Sequence, residues 1–175
     1  MTILLVMGVS GCGKTTIARG LADRLGWDLI EGDAFHPPAN IAKMHASIPL
    51  DDADRAPWLA NIAAEIDRAR AAGRSAVLAC SALKRAYRAV LIGARAEMAL
   101  IYLQGTQALI AARLAARTGH FMPPGLLASQ FAALEEPGAD ENPIVLSIAP
   151  PPRAIIDAAA AALRDRNIVP RETAP

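Results

Sequence analysis

Ile3-Leu4-Leu5-Val6-Met7 runs directly into Gly8-Val9-Ser10-Gly11-Cys12-Gly13-Lys14-Thr15. An unbroken apolar run ending in glycine reads as a strand buried on both faces. Beyond the glycines, Ile17, Leu21 and Leu25 recur every four residues, which predicts a helix over Lys14–Leu25 with one buried face. The octet between them fits G-x-x-x-x-G-K-[ST] in the required strand–loop–helix setting. Gly8, Gly11 and Gly13 permit backbone angles that a Cβ penalises, so successive N–H groups can converge on a phosphate at the positive end of the helix. The amides of Gly8, Ser10, Gly11, Cys12, Gly13, Lys14, Thr15 and Thr16 are therefore candidate nucleotide contacts. The Lys14 ammonium reaches the β- and γ-phosphates of ATP, and the Thr15 hydroxyl is a ligand for Mg²⁺.

Outward from the loop, short apolar runs alternate with helical patterns. Strands are expected at Asp28–Ile30, Ala76–Cys80, Met98–Leu103 and Ile144–Ile148. Helices are expected at Pro37–Ser47, Asp51–Ala72, Leu83–Arg95, Leu126–Leu134 and Arg153–Arg166, with Thr106 capping another that runs to Arg117. Fully apolar strands separated by helices imply an α/β fold: a three-layer parallel sheet with helices on both faces. Ligands of such sheets bind at the carboxyl ends of the strands.

The chain has 175 residues, 53% of them hydrophobic, and a formal net charge of +1. That length suits a single domain, 1–175, and the charge balance argues against nucleic-acid or membrane-surface binding. No apolar stretch is long enough to span a bilayer, and Met1–Gly8 lacks the basic start of a signal peptide. Two cysteines make no disulfide framework, so a reduced cytoplasmic setting is expected. The segment from Asn167 to Pro175 reads as a mobile tail.

Motor and switch NTPases place an acid at the end of a second apolar strand, yet Ala76–Cys80 leads into Ser81-Ala82-Leu83. No Asn-Lys-x-Asp guanine-reading motif occurs either. Both absences favour a small-molecule phosphotransferase over a nucleotide-dependent switch. Glu31 and Asp33, two apart at a strand end, project to one side, and Asp33 is a candidate to orient or deprotonate an acceptor hydroxyl.

Several blocks in order carry a family resemblance: Gly32-Asp33-Ala34-Phe35-His36-Pro37 with Asn40 and Lys43-Met44; Pro49 to Leu59; Cys80 to Arg88; Arg117 to Pro123; and Leu126 to Phe131 with Leu134 to Pro137. Together the chain resembles the gluconate kinases (gluconokinases), from about residue 3 to 148. The resemblance implies ATP-dependent phosphorylation of D-gluconate at its 6-hydroxyl. It also implies a fold like that of nucleoside monophosphate and shikimate kinases, and a homodimer. Acceptors of same-fold relatives, namely shikimate, another sugar acid or a nucleoside monophosphate, form the alternative. Cys12 and Thr15 stand where the family often has serine, Glu31 where aspartate is common, and Ser47 where glycine is frequent.

A polyhydroxy carboxylate needs a cation and several hydrogen-bonding groups. His36, Lys43, Arg55, Lys84, Arg88 and His120 are the candidates, with Lys84 and Arg88 expected on one helical face. Only three lysines occur, Lys14, Lys43 and Lys84, and all fall within these motifs. The related kinases imply a lid at about 118–130. Arg117 is assigned there to the charge that develops on the transferring phosphoryl group, with Arg113 beside the nucleotide. Trp58 is expected to pack in the core.

Overall fold

The computed structural model describes residues 1–46, 48–115 and 124–169, the side chains of 124–126 excepted. Five parallel strands form one sheet in the order β2-β3-β1-β4-β5, where β1 is Ile3–Met7, β2 Asp28–Glu31, β3 Ala76–Ala79, β4 Met98–Gln104 and β5 Ile144–Ser147. The strand order reverses beside β1, with β3 on one flank and β4 on the other, so the glycine loop opens at the sheet's switch point.

Alternation along β1 feeds two cores. Leu4 and Val6 join α1 (Lys14–Leu25), α5 (Gln107–Ala115), α6 (Pro124–Ala133) and α7 (Pro152–Asp165) on one face. Ile3, Leu5 and Met7 meet α3 (Asp52–Ala71) and α4 (Arg85–Leu91) on the other. The short α2 spans Pro38–His45. Asp51 caps α3 by accepting from Asp54 N–H, and the Asp54 carboxylate accepts from Asp51 N–H in return, which satisfies donors at both positions.

Three of the boundaries that differ from expectation bear on the site. β2 extends through Glu31, which makes that residue part of the strand end. α4 starts at Arg85, not Leu83, because Ala82 has φ 43 and Lys84 is extended at the cap. α6 begins at Pro124, inside the expected break, where the preset φ of proline suits a first turn. The tail expected to be mobile begins held down: Ile168 N–H donates to Leu163 O at 2.9 Å and Val169 is only 4% exposed.

Candidate active site

The glycine loop is fitted tightly to its surroundings. Gly8 has φ 148, and a Cβ there would lie 2.9 Å from Leu103 O. Gly11 has φ 82, and a Cβ would lie 2.9 Å from a methyl of Leu114 in α5. Neither position accepts a side chain. Lys14 Nζ turns back to Val9 O at 3.2 Å across the loop. Cys12 is buried, and that burial raises its thiol pKa, against the pull of the Lys14 ammonium.

Thr15 Oγ1 donates to Glu31 Oε2 at 3.1 Å. Glu31 Oε1 is buried with no hydrogen-bond partner among the described residues, and Arg19 approaches it only to 4.0 Å. A hydroxyl beside an unsatisfied carboxylate oxygen is a hard oxygen donor set, which fits Mg²⁺. Glu31, an acid that the sequence places at the strand end without a role, is thus brought beside the Thr15 hydroxyl. Among the described residues, no group of three or more His, Cys, Asp and Glu gathers elsewhere to hold a metal.

Asp33 lies in the 3₁₀ turn Gly32–Phe35 that follows β2. Its carboxylate is exposed and has no hydrogen-bond or ion-pair partner among the described residues. Cys80, buried at the end of β3, feels both sides of the site. Burial pushes its thiol up to about 12, the Asp33 carboxylate adds to that rise and the Lys14 ammonium opposes it. Both charges therefore act on the thiol just past the end of β3.

The acceptor-side candidates separate into two groups. His36 stacks on Trp58 with ring centroids 4.4 Å apart, and Trp58 Nε1 donates to Gly32 O at 2.8 Å. Trp58 is in the core, as expected, and also supports the turn that carries Asp33. Burial lowers the His36 pKa, and Arg55 acts in the same direction against the opposing Asp33 charge. Buried Asn40 contacts His36 Nδ1 at 3.4 Å and Asp54 O at 2.8 Å, tying α2 to the start of α3.

Four cations were expected at the acceptor, and three already hold carboxylates. Lys43 pairs with Asp54 at 2.6 Å, Lys84 with Asp52 at 2.7 Å, and Arg88 with Glu141 at 2.6 Å. Arg55 donates to Leu50 O at 2.6 Å and lies 6.0 Å from the Tyr87 ring centre, with no carboxylate partner among the described residues. The Tyr87 hydroxyl donates to Asp52, so Lys84, Tyr87 and Asp52 form one polar cluster beside it.

Arg88, one turn on from Lys84, is buried where Lys84 is partly exposed. It is 1% exposed, and its guanidinium donates to Ala82 O, Leu83 O, Glu135 O and both oxygens of Glu141. It clamps α4, the β3–α4 loop and the segment after α6 together. Arg113 also differs: its Nη2 donates to Ile148 O at 2.6 Å and Ala149 O at 3.3 Å, in the loop after β5. Arg117, His120 and residues 118–123 of the expected lid lie outside the described residues.

A family model described as an AAA domain matches residues 3–137. The gluconokinase of Gluconobacter oxydans (strain 621H) is 54% identical over 144 residues, covering 82% of this chain and 81% of that one. The chain belongs to the gluconokinase family. A crystal structure of a gluconokinase from Sinorhizobium meliloti 1021 superposes with a TM-score of 0.85 at 41% identity, covering 94% of this chain and 93% of that one. Shikimate kinase from Aquifex aeolicus vf5 shares the fold alone, with a TM-score of 0.57 at 9% identity over 97% of this chain and 100% of that one. For this member of the gluconokinase family the α/β fold, the nucleotide loop and the phosphotransferase class agree with the expectation from sequence.

Proposed function

We propose that this chain transfers the terminal phosphoryl group of MgATP to the 6-hydroxyl of D-gluconate, giving ADP and 6-phospho-D-gluconate. The observation that carries the reading is the exposed Asp33 carboxylate in the turn after β2, without a hydrogen-bond or ion-pair partner among the described residues, in a chain 54% identical to a gluconokinase.

The loop amides and Lys14 hold the phosphates, with Lys14 leaving Val9 O to do so. Thr15 and Glu31 hold Mg²⁺, which when bound neutralises charge on the β- and γ-phosphates. Asp33 accepts the proton of the acceptor hydroxyl and orients its oxygen in line with the phosphorus. Arg55, the acceptor-side cation without a carboxylate, takes the gluconate carboxylate. His36, Lys84 and Lys43 supply hydrogen bonds to hydroxyls. Arg117 serves the transferring phosphoryl group from the lid, His120 lines the acceptor side, and Arg113 braces the nucleotide side through the loop after β5.

The reading includes a single domain, action in the cytoplasm, where two free cysteines stay reduced, and assembly as a homodimer. Ile41, Met44 and Ile48 are exposed on and just after α2 and offer apolar surface for that assembly. Identification of the product after incubation with MgATP and D-gluconate tests the whole proposal. Gluconate-dependent release of ADP with formation of a 6-phosphate is expected; ADP release that gluconate leaves unchanged would sink it.

A further inference from the structure

The phosphate loop already carries an acceptor of its own. Ser10 N–H donates to Gln130 Oε1 at 2.6 Å, across 120 residues of sequence. The oxygen must be the atom facing the loop, because the carboxamide nitrogen carries only donors. Gln130 is half-buried and its helix is fixed on both sides. Leu127 is buried in the α1/α7 core and Phe131 packs against it. Just past the helix, Glu135 N–H donates to Leu83 O at 2.9 Å and Glu135 O accepts from Arg88. This is a placed side chain, aimed at an amide of the group that would receive phosphate oxygens.

We propose that Gln130 is an internal stand-in for the nucleotide phosphate: its neutral oxygen accepts from the Ser10 amide and is displaced when ATP binds. This inference rests on the loop being the ATP site. It adds a residue from outside the loop, on α6 at the C-terminal end of the expected lid, which sets nucleotide affinity by competition. The contact keeps the Ser10 donor satisfied when no phosphate is present, and binding must first break it. The net worth of one neutral hydrogen bond corresponds to about a 2- to 12-fold change in affinity.

Calorimetric titration with MgADP, in the absence of gluconate, tests this on the full chain, on Gln130→Leu and Gln130→Met, and on Gln130→Glu. Thermal melts confirm that each variant is folded. Both non-accepting variants should bind MgADP about 2- to 12-fold more tightly than the parent. Gln130→Glu keeps the acceptor and adds a charge facing the phosphates, so it should bind more weakly. The Ser10 amide resonance of the nucleotide-free chain should move in the Leu and Met variants. A packing role predicts that Leu, Met and Glu all bind alike or worse. Unchanged or weaker binding by the Leu and Met variants, or an unmoved Ser10 resonance, overturns the proposal. If the parent binds no MgADP at all, the reading of the loop falls with it.

Discussion

The proposed acceptor chemistry is divided among Asp33, Arg55, Lys43 and His36. Among the described residues Asp33 has no hydrogen-bond or ion-pair partner to release before it takes a proton, so its removal should act on the chemical step. Asp33→Asn should lower kcat by about 10²–10⁴-fold, the usual worth of a positioned base, with little change in nucleotide affinity. Equal losses in both would assign it to metal binding instead. Arg55 carries the one acceptor-side candidate charge not met by a carboxylate among the described residues, so Arg55→Gln should raise the KM for gluconate about 10- to 100-fold while the KM for ATP stays put. Lys43→Gln should cost less, because Asp54 already holds that ammonium. His36 is a base whose burial lowers its pKa below the ordinary 6.5. Between that lowered value and 6.5 the unfolded chain binds more protons than the folded one, so stability falls as pH drops through the window. His36→Phe keeps the stack on Trp58 and removes the titration; its Tm should fall less steeply below pH 6.5, and parallel curves would show that another group is responsible.

At the level of elements, Arg88 decides how α4, the β3–α4 loop and the segment after α6 meet. Its removal leaves Glu141, 13% exposed at the side chain, with the Gly138 N–H but without its buried counter-charge, and strips the Arg88 donor from the carbonyls of Ala82 and Glu135. Arg88→Met should cost about 3–5 kcal/mol, or about 6–20 °C in Tm for a chain of this size. A second change, Glu141→Leu, should recover part of that loss; no recovery would mean that the carbonyl contacts dominate. The same region shows where sequence reading stops. The first strand, loop and helix were legible to the residue, because a wholly apolar run and a fixed glycine spacing leave one solution. Arg88 was expected beside Lys84 because the two are four apart, and that spacing gives no sign of the Glu141 carboxylate that holds it. Nor does anything in an alanine announce the φ of 43 at Ala82 that precedes the start of α4 at Arg85. Glu31 was seen as a strand-end acid, but only the neighbouring Thr15 hydroxyl shows which side of the site it serves. Gln130 is neutral, partly buried and mid-helix, and so carries neither a charge nor a periodic signal.

For the molecule as a whole, the question is whether the nucleotide side and the acceptor side unfold together. β1 answers it physically. Leu4 and Val6 belong to one core, Ile3, Leu5 and Met7 to the other, and all five are fully buried. Neither helical layer can detach without exposing one face of the central strand, so opening one side costs the packing of the other. The loop that would hold the phosphates leaves from this same strand, and Gly8 N–H is bonded to Ser81 O beyond β3. A ligand bound there should therefore stabilise the entire fold rather than one half. At a free concentration 100 times its Kd, a nucleotide adds about 2.7 kcal/mol, which for a chain of this length corresponds to a rise of about 5–11 °C in Tm. Calorimetry should show one transition that moves upward as a unit with MgADP. Two transitions, with only one responding, would mean that the layers around β1 fold separately and that the single-domain reading is wrong.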